Sequence, residues 1–185
     1  MGVGTATGSA TKPGQNWVTG TFTDRHSAER AYNSMLSRGY SEKDINLMMS
    51  DETRKRYFDK DSRTTDTELG SKAMEKAGVG GAIGGTVGVI LAAIAAVGTS
   101  IAIPGLGLVI AGPIAAALAG AGAGGLTGGV IGALIGSGIP EERAKLYESD
   151  LKNGGIVMGI NPRNDEDATY FESKWKSNKG RNVYR

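Results

Sequence analysis

Residues 77–140 read AGVGGAIGGTVGVILAAIAAVGTSIAIPGLGLVIAGPIAAALAGAGAGGLTGGVIGALIGSGIP, and none of them is Asp, Glu, Lys, Arg or His. The rest of the chain is rich in charged residues. Within the stretch, glycine recurs at every fourth position in two rows, Gly80, Gly84 and Gly88, then Gly120, Gly124, Gly128, Gly132 and Gly136. The absence of charge and this regular spacing together set the stretch apart as a structural unit.

A spacing of four residues places side chains on one face of an α-helix, so each glycine row predicts a helical groove without side chains. Such a groove lets a second backbone approach closely, as in helices that pack within lipid. Glycine costs about 1 kcal/mol per residue in a helix relative to alanine, but the spacing and the lack of charge favour helix here. We therefore predict helix packing or self-assembly through these glycines.

The stretch predicts a hairpin of two apolar helices, the first over about residues 73–97 and the second from Pro113 to about Gly136. Proline is favoured in the first turn of a helix. Residues 98–107 must interrupt the helices, and the predicted hairpin turn contains Pro104, Gly105 and Gly107. Each helix is about long enough to cross a hydrocarbon layer of roughly 30 Å.

The flanks predict a small α+β domain. Before the hairpin, a strand at 16–23, a helix at about 25–38 capped by Asp24, and a strand at 45–49 form a βαβ unit, whose strands we expect to be parallel. After it, a helix at about 140–152, a strand at 156–160 and a helix capped by Asn164 or Asp165 form an αβα unit. The fold class is therefore α+β, with a glycine-zipper hairpin inserted into it.

These patterns divide the chain into five segments. A flexible tail is expected at 1–15, the first half of the α+β domain with a linker at 16–70, the hairpin at 71–138, the second half of the domain at 139–176, and a basic tail at 177–185. The first residues lack the charged-then-apolar order of a signal peptide, so we expect none.

The chemistry-bearing residues do not form a recognisable active site. The chain has no cysteine and a single histidine, His26, so we predict no metal site and no catalytic residue. Gly120, Gly122 and Gly125 match G-x-G-x-x-G, but they lie in a helical pattern rather than after a strand, so we predict no nucleotide or other cofactor. A net charge of +2 gives little field for nucleic acid, and no small-molecule substrate is indicated.

Several short motifs, taken in their order along the chain, resemble one known family. They are Val18–Phe22 with Asp24 and Ala28, Asp44-Ile45, Ile103–Gly107, Ala111-Gly112-Pro113, Gly138–Ala144, Tyr147 and Gly154-Gly155-Ile156. Together they resemble the bacterial general stress proteins, a family of heat-induced and low-temperature-induced stress proteins, over about residues 16–161. The resemblance implies a stress-response protein without an assigned enzymatic activity, and it carries over no functional residue.

Two hypotheses account for the hairpin. In the first, a non-enzymatic protein self-assembles and associates with a membrane, with Lys72, Lys76, Arg143 and Lys145 beside anionic headgroups. In the second, the protein is a soluble homo-oligomer whose hairpin is buried in the subunit core, because an exposed aliphatic face of this size would aggregate. We expect the first, with the protein in the bacterial cytoplasm or on the cytoplasmic face of the membrane.

Overall fold

The fold is organised around one antiparallel sheet. The structure, a computed structural model, describes residues 17–58, 101–103, 107–120 and 129–185. Its strands are β1 (Val18–Phe22), β2 (Ile45–Ser50), β3 (Ile101–Ile103), β4 (Leu108–Ala111), β5 (Ile156–Ile160) and β6 (Arg181–Tyr184). They pair in the order β3-β4-β2-β5-β1-β6, and each neighbouring pair is antiparallel.

Helices cover both faces of this sheet. Among the described residues they are α1 (Arg25–Ser37), α2 (Asp51–Phe58), α3 (Pro113–Gly120), α4 (Gly129–Gly136), α5 (Glu141–Lys152) and α6 (Asp165–Ser177). Helices α1 and α6 share a core with one face of the sheet, which we call the first face. Helices α3, α4 and α5 share a second core with the opposite face, the second face. The predicted α+β class is confirmed.

The strand register explains the first core. Val18 and Ile45 both lie opposite Ile160, and Phe22 and Met49 both lie opposite Ile156, so apolar residues form rows across β1, β5 and β2. These side chains are buried on the first face. Alternation along a strand sends the residues between them to the other side.

The predicted first helix and last helix are confirmed. Asp24 caps α1 by accepting a hydrogen bond from the Ser27 N–H at 2.8 Å, and Asn164 caps α6 by accepting from the Asp167 N–H at 2.8 Å. In α6, Ala168, Phe171 and Trp175 are buried on one stripe, as their spacing predicts. The predicted helix at about 140–152 is also confirmed as α5, in which Ala144, Tyr147 and Leu151 are buried.

The predicted βαβ unit is not confirmed. Strands β1 and β2 are not neighbours, because β5 lies between them and pairs antiparallel with both. The chain order β1-α1-β2-β5-α6-β6 gives a split β-α-β arrangement, the type found in ferredoxin-like folds. The second half of the chain thus supplies the strand that joins the two predicted ones.

Two strands replace the predicted break between the apolar helices. Strand β3 pairs with β4, and β4 pairs with β2 from Leu47↔Ala111 to Ser50↔Leu108. Short aliphatic runs such as Ile101–Ile103 do not distinguish strand from helix by periodicity, which is why the sequence did not reveal these strands.

The end of the chain is also a strand. Residues 177–185, expected to be a basic tail, contain the end of α6 and β6, whose Arg181 and Tyr184 pair with Thr21 and Thr19 of β1. Only Val183 of β6 is an apolar buried residue, so the strand has almost no alternation in sequence. The polar stretch after β2, expected to be mainly linker, begins with the eight-residue helix α2.

The predicted continuous helix from Pro113 to Gly136 is wrong at Gly129. This residue has a φ of +59°, a left-handed conformation that a continuous α-helix excludes and that glycine adopts readily. Helix α3 begins at Pro113 as predicted, and α4 ends at Gly136. The predicted first apolar helix, 73–97, and the tail 1–15 lie outside the described residues.

The predicted domain boundaries at 71 and 138 remain predictions, but the described part of this segment packs with its flanks. Ile114 and Leu134 share the second core with Met48 of β2 and Val157 of β5. Strand β4 lies directly beside β2. The described residues of 71–138 therefore extend the sheet and cover one of its faces.

Candidate functional site

The outward side of α4 is the strongest candidate for a functional surface. Gly132 is half-buried and Gly136 is exposed, and no described heavy atom lies within 4 Å of a Cβ added at either position. Ile135, between them on the same side of the helix, is 42% exposed. We call Gly132, Ile135 and Gly136 the glycine face; it contains two members of the predicted row.

The opposite side of α4 explains why the glycines face outward. Val130, Ala133 and Leu134 are buried in the second core, at the spacing of one helical stripe. Burying one large aliphatic side chain contributes about 1.5–3 kcal/mol, so these contacts fix the rotation of α4 about its axis. With α4 in this orientation, the glycine face lies on the side of the helix opposite the second core.

A Schellman motif ends α4. The Gly138 N–H donates to the Ile135 carbonyl at 2.9 Å, the Ile139 N–H donates to the Leu134 carbonyl at 3.0 Å, and Gly138 has a φ of +90°. Leu134 and Ile139 are both buried in the second core, which is the apolar contact typical of this motif. The helix end is therefore defined by local sequence and by packing together.

Side chains from the sheet anchor α4 and α5. The Trp17 indole N–H donates to the Ser137 carbonyl at 2.9 Å, just beyond the end of α4. The Tyr147 hydroxyl of α5 hydrogen-bonds with the Thr19 hydroxyl at 2.5 Å and with the Asn182 carbonyl at 3.0 Å. Burial raises the pKa of Tyr147 to about 12, although the Thr19 hydrogen bond acts in the opposite direction. Helix α5, which packs against α4, is thus hydrogen-bonded to strands β1 and β6.

Helix α3 is positioned by two residues that the sequence did not single out as functional. Gly112 has a φ of +97°, and a Cβ there would lie 2.1 Å from the Ile45 carbonyl oxygen. Asn46 of β2 accepts a hydrogen bond from the Ile114 N–H at 2.8 Å through its side-chain oxygen, so a neighbouring strand caps α3. The Gly112-Pro113 dipeptide signals a turn, but nothing in the sequence identifies Asn46 as the cap.

The other predicted site residues are dispersed. Gly120 is the last residue of α3, and Gly107 lies in the exposed turn before β4 with a φ of +59°. Gly80, Gly84, Gly88, Gly124, Gly128, Pro104 and Gly105 lie outside the described residues. Among the described members of the predicted set, the structure brings Gly132 and Gly136 together.

A second surface, between the end of α1 and α6, is a weaker candidate. A shallow groove of about 660 Å³ is lined by Arg38, Glu166, Tyr170 and neighbouring residues of α6. Arg38 lies 3.0 Å from carboxylate oxygens of Glu166 and Asp167, and its guanidinium lies 4.5 Å from the centre of the Tyr170 ring. These contacts join α1 to α6, so the arginine already has protein partners.

Neither a metal-binding cluster nor a membrane span occurs among the described residues. In the parts of the chain that the structure describes, no group of three or more His, Cys, Asp or Glu side chains could hold a metal ion. No helix within those same residues is both long enough and apolar enough to cross a membrane. The expectations of no cofactor, no metal and no catalytic residue remain predictions.

Comparison with known proteins adds no assignment. No protein-family profile matches the chain, and searches of curated proteins and of solved structures found no match.

Proposed function

We propose that this is a non-enzymatic stress-response protein that assembles with copies of itself and associates with the membrane through its glycine-rich hairpin. The observation that carries the proposal is the outward position of Gly132 and Gly136 on a helix whose other side is firmly packed. The resemblance to bacterial general stress proteins supports the stress-linked role, with the protein in the cytoplasm or on the cytoplasmic face of the membrane.

The glycine face suits close helix packing. An incoming helix meets a groove over the two glycines and a half-exposed aliphatic side chain, Ile135. Because no charged residue occurs between 77 and 140, packing of a helix in this region does not require the desolvation of a charged side chain.

The residues at the two ends of the uncharged stretch support membrane association. Lys72 and Lys76 precede the uncharged stretch, and Arg143 and Lys145 follow it, an arrangement that favours anionic headgroups. In α5, Lys145 pairs with Glu141 at 2.7 Å in an exposed ion pair, which contributes little to folding and leaves the lysine available at a membrane surface.

One observation favours the second candidate, a soluble homo-oligomer. Ile114 and Leu118 of α3 and Val130 and Leu134 of α4 are buried by the sheet and by α5 rather than presented to lipid. If the remaining apolar residues are covered by other subunits, assembly needs no bilayer. Both candidates require the glycine face to contact another helix.

The test is a pair of isoleucine substitutions. Gly132→Ile fills the groove while adding a side chain to open space, so we expect a folded protein that no longer assembles. Its free energy of unfolding should stay within about 1 kcal/mol of the parent, because isoleucine also has the better helix propensity. Ser173→Ile, at an exposed position of α6 on the other side of the sheet, is the matched control and should assemble normally.

Size would be measured by light scattering, and lipid binding by sedimentation with vesicles of phosphatidylcholine alone or mixed with phosphatidylglycerol. Loss of assembly in Gly132→Ile but not in Ser173→Ile supports the proposal. Equal assembly in both variants would contradict a role for the glycine face. Assembly without sedimentation on either vesicle would favour the soluble oligomer.

A further inference from the structure

We propose that Asn153, at the end of α5, is a deamidation site that the folded chain protects and that reacts when this helix end opens. Asn153 is followed by Gly154, and this is the only Asn-Gly pair in the sequence. The proposal is independent of self-assembly and membrane association, because the reaction involves one helix end and requires no partner.

The chemistry uses the backbone of the glycine and the side chain of the asparagine. Glycine has no Cβ, so its backbone nitrogen is the least shielded of any residue. The Gly154 nitrogen loses its proton and attacks the side-chain carbonyl carbon of Asn153. The new C–N bond closes a succinimide ring, and the side-chain nitrogen leaves as ammonia. Water then opens the ring at either carbonyl, which gives aspartate, or isoaspartate with the main chain running through the former side chain.

In the folded chain, the nitrogen that must attack is already part of a hydrogen bond. Asn153 is the C-terminal cap of α5, and Gly154 follows it with a φ of +82° in a Schellman motif. The Gly154 N–H donates to the Leu151 carbonyl at 3.1 Å. The Gly155 N–H donates to the Asp150 carbonyl at 2.8 Å. The attack therefore requires this motif to open.

The side chain of Asn153 is also held away from the attacking nitrogen. Its amide donates a hydrogen bond to the Ser149 carbonyl at 2.9 Å, one turn back along α5. The ψ of Asn153 is 13°, so its own backbone nitrogen nearly eclipses the nitrogen of Gly154. The succinimide ring requires the Cβ of Asn153 in that eclipsed position instead. Ring closure thus needs a rotation of the backbone as well as the loss of hydrogen bonds.

Contacts with the sheet stabilise this closed helix end. The Asp150 carboxylate accepts hydrogen bonds from the Thr21 hydroxyl at 2.7 Å and from the Asn182 amide at 2.8 Å. Gly155 is buried, and a Cβ added there would lie 2.9 Å from the Thr21 methyl group. Asn153 itself is exposed, so water has access to it whenever the helix end opens locally.

Either product weakens the closed state. A carboxylate at position 153 places a negative charge at the C-terminal end of α5, where the helix dipole disfavours it and where Asp150 already carries one. Isoaspartate also lengthens the main chain by a methylene group shortly before β5, which lies between β1 and β2 in the sheet. A transient opening is thereby converted into a permanent change at the end of α5.

The experiment follows deamidation of the full-length protein in native buffer and in urea that unfolds it. A synthetic peptide of residues 148–158 in the same two solutions gives the rate without the fold. Peptide mapping by mass spectrometry measures the reaction, and chromatography separates aspartate from isoaspartate. We expect the folded protein to react about tenfold or more slowly than the peptide, and the unfolded protein to match it. Asn153→Gln should abolish the signal, because the longer side chain closes its ring far more slowly.

Two neighbouring alanine substitutions test how the helix end is held. Asp150→Ala removes the hydrogen bonds to β1 and β6, so we expect Asn153 to deamidate severalfold faster in native buffer. Ser149→Ala is the matched control, because residue 149 is exposed and the variant keeps the carbonyl that accepts from Asn153. Circular dichroism establishes that both variants fold; if Asp150→Ala does not, the comparison of parent and peptide decides.

Equal rates in the folded parent and the peptide would overturn the proposal, because the fold would then give no protection. An unreactive Asn153 in the unfolded protein would show that it is not a deamidation site. Equal rates in folded Asp150→Ala and Ser149→Ala would contradict control by the contacts with the sheet. Asn153→Asp should unfold at a lower urea concentration than the parent, and an unchanged midpoint would contradict the weakening by the product.

Discussion

Gly112 is the residue whose backbone the fold depends on most directly. Its φ of +97° turns the chain from β4 into α3, and its missing side chain lets the turn lie against the Ile45 carbonyl. The Asn46 side chain then caps α3 immediately after the turn. A single glycine therefore decides whether α3 can cover the second face.

The first prediction concerns this glycine. Gly112→Ala places a methyl group where the Ile45 carbonyl oxygen lies, and it forces alanine into a left-handed conformation. We expect a loss of about 3 kcal/mol or more in the free energy of unfolding, from about 1–2 kcal/mol of backbone strain and about 1–3 kcal/mol of overpacking. Urea unfolding measures the change.

Gly107→Ala is the control at the residue scale. It has a φ of +59°, but no described atom lies within 4 Å of the added Cβ, so we expect only the backbone cost of about 1–2 kcal/mol. Equal unfolding midpoints for the two variants would show that the close approach to Ile45 contributes nothing.

At the scale of elements, α5 is held to the sheet by polar contacts as well as by packing. Tyr147 is buried, and its hydroxyl hydrogen-bonds with β1 at Thr19 and with β6 at Asn182. Asp150, one turn further along, accepts hydrogen bonds from the Thr21 hydroxyl at 2.7 Å and from the Asn182 amide at 2.8 Å. The helix that supports α4 is thus joined to both strands at that end of the sheet.

The second prediction follows from the pKa of Tyr147, which burial raises from its usual value of 10.0 to about 12. Because the folded state holds this proton more tightly than the unfolded state, its contribution is fully present below pH 10 and is lost as the pH rises towards 12. Stability should fall in that window by about 1.4 kcal/mol per pH unit from this group alone.

Tyr147→Phe removes that titration. We expect the variant to be less stable than the parent at pH 7 by about 1–2 kcal/mol, because its Thr19 and Asn182 partners lose a hydrogen bond. Between pH 10 and pH 12 its stability should decline less steeply. Parallel pH profiles of urea unfolding for parent and variant would contradict the assignment.

At the scale of the whole molecule, the described part of the uncharged stretch belongs to the sheet and to the helices on its second face. Strand β4 and helices α3 and α4 cover the second face of the sheet, where Met48, Val157 and Leu151 are buried with them. The described residues of the stretch are therefore packed against its flanks.

The third prediction compares two deletions, each closed with a short flexible linker. Removing 77–97 should leave a protein that unfolds cooperatively, because every described strand and helix is retained. Removing 77–138 takes away β3, β4, α3 and α4 and exposes one face of β2 and β5, so we expect aggregation or a molten state. Thermal unfolding and light scattering measure both.

Cooperative unfolding of the 77–138 deletion would show that the remaining four strands and their helices fold alone, with the boundaries that the sequence predicts. Aggregation of the 77–97 deletion alone would show instead that this segment covers apolar surface that the domain cannot leave exposed.

The sequence by itself determined the elements with strong local signals. Period-two alternation identified β1, β2 and β5, and the caps Asp24 and Asn164 with their apolar stripes identified α1 and α6. It also placed Pro113 at the start of a helix. These features depend on residues that are close together in the sequence, so they can be predicted without knowledge of the tertiary structure.

Only the tertiary structure decided the strand order, the addition of β3, β4 and β6, and the interruption at Gly129. Pairing partners such as Leu47 with Ala111 are distant in sequence, and β6 is a strand because β1 offers it a free edge rather than because of its own composition. The capping of α3 by Asn46 likewise requires β2 to lie beside the turn at Gly112. Such contacts exist only once the sheet has assembled, which is why no local pattern predicts them.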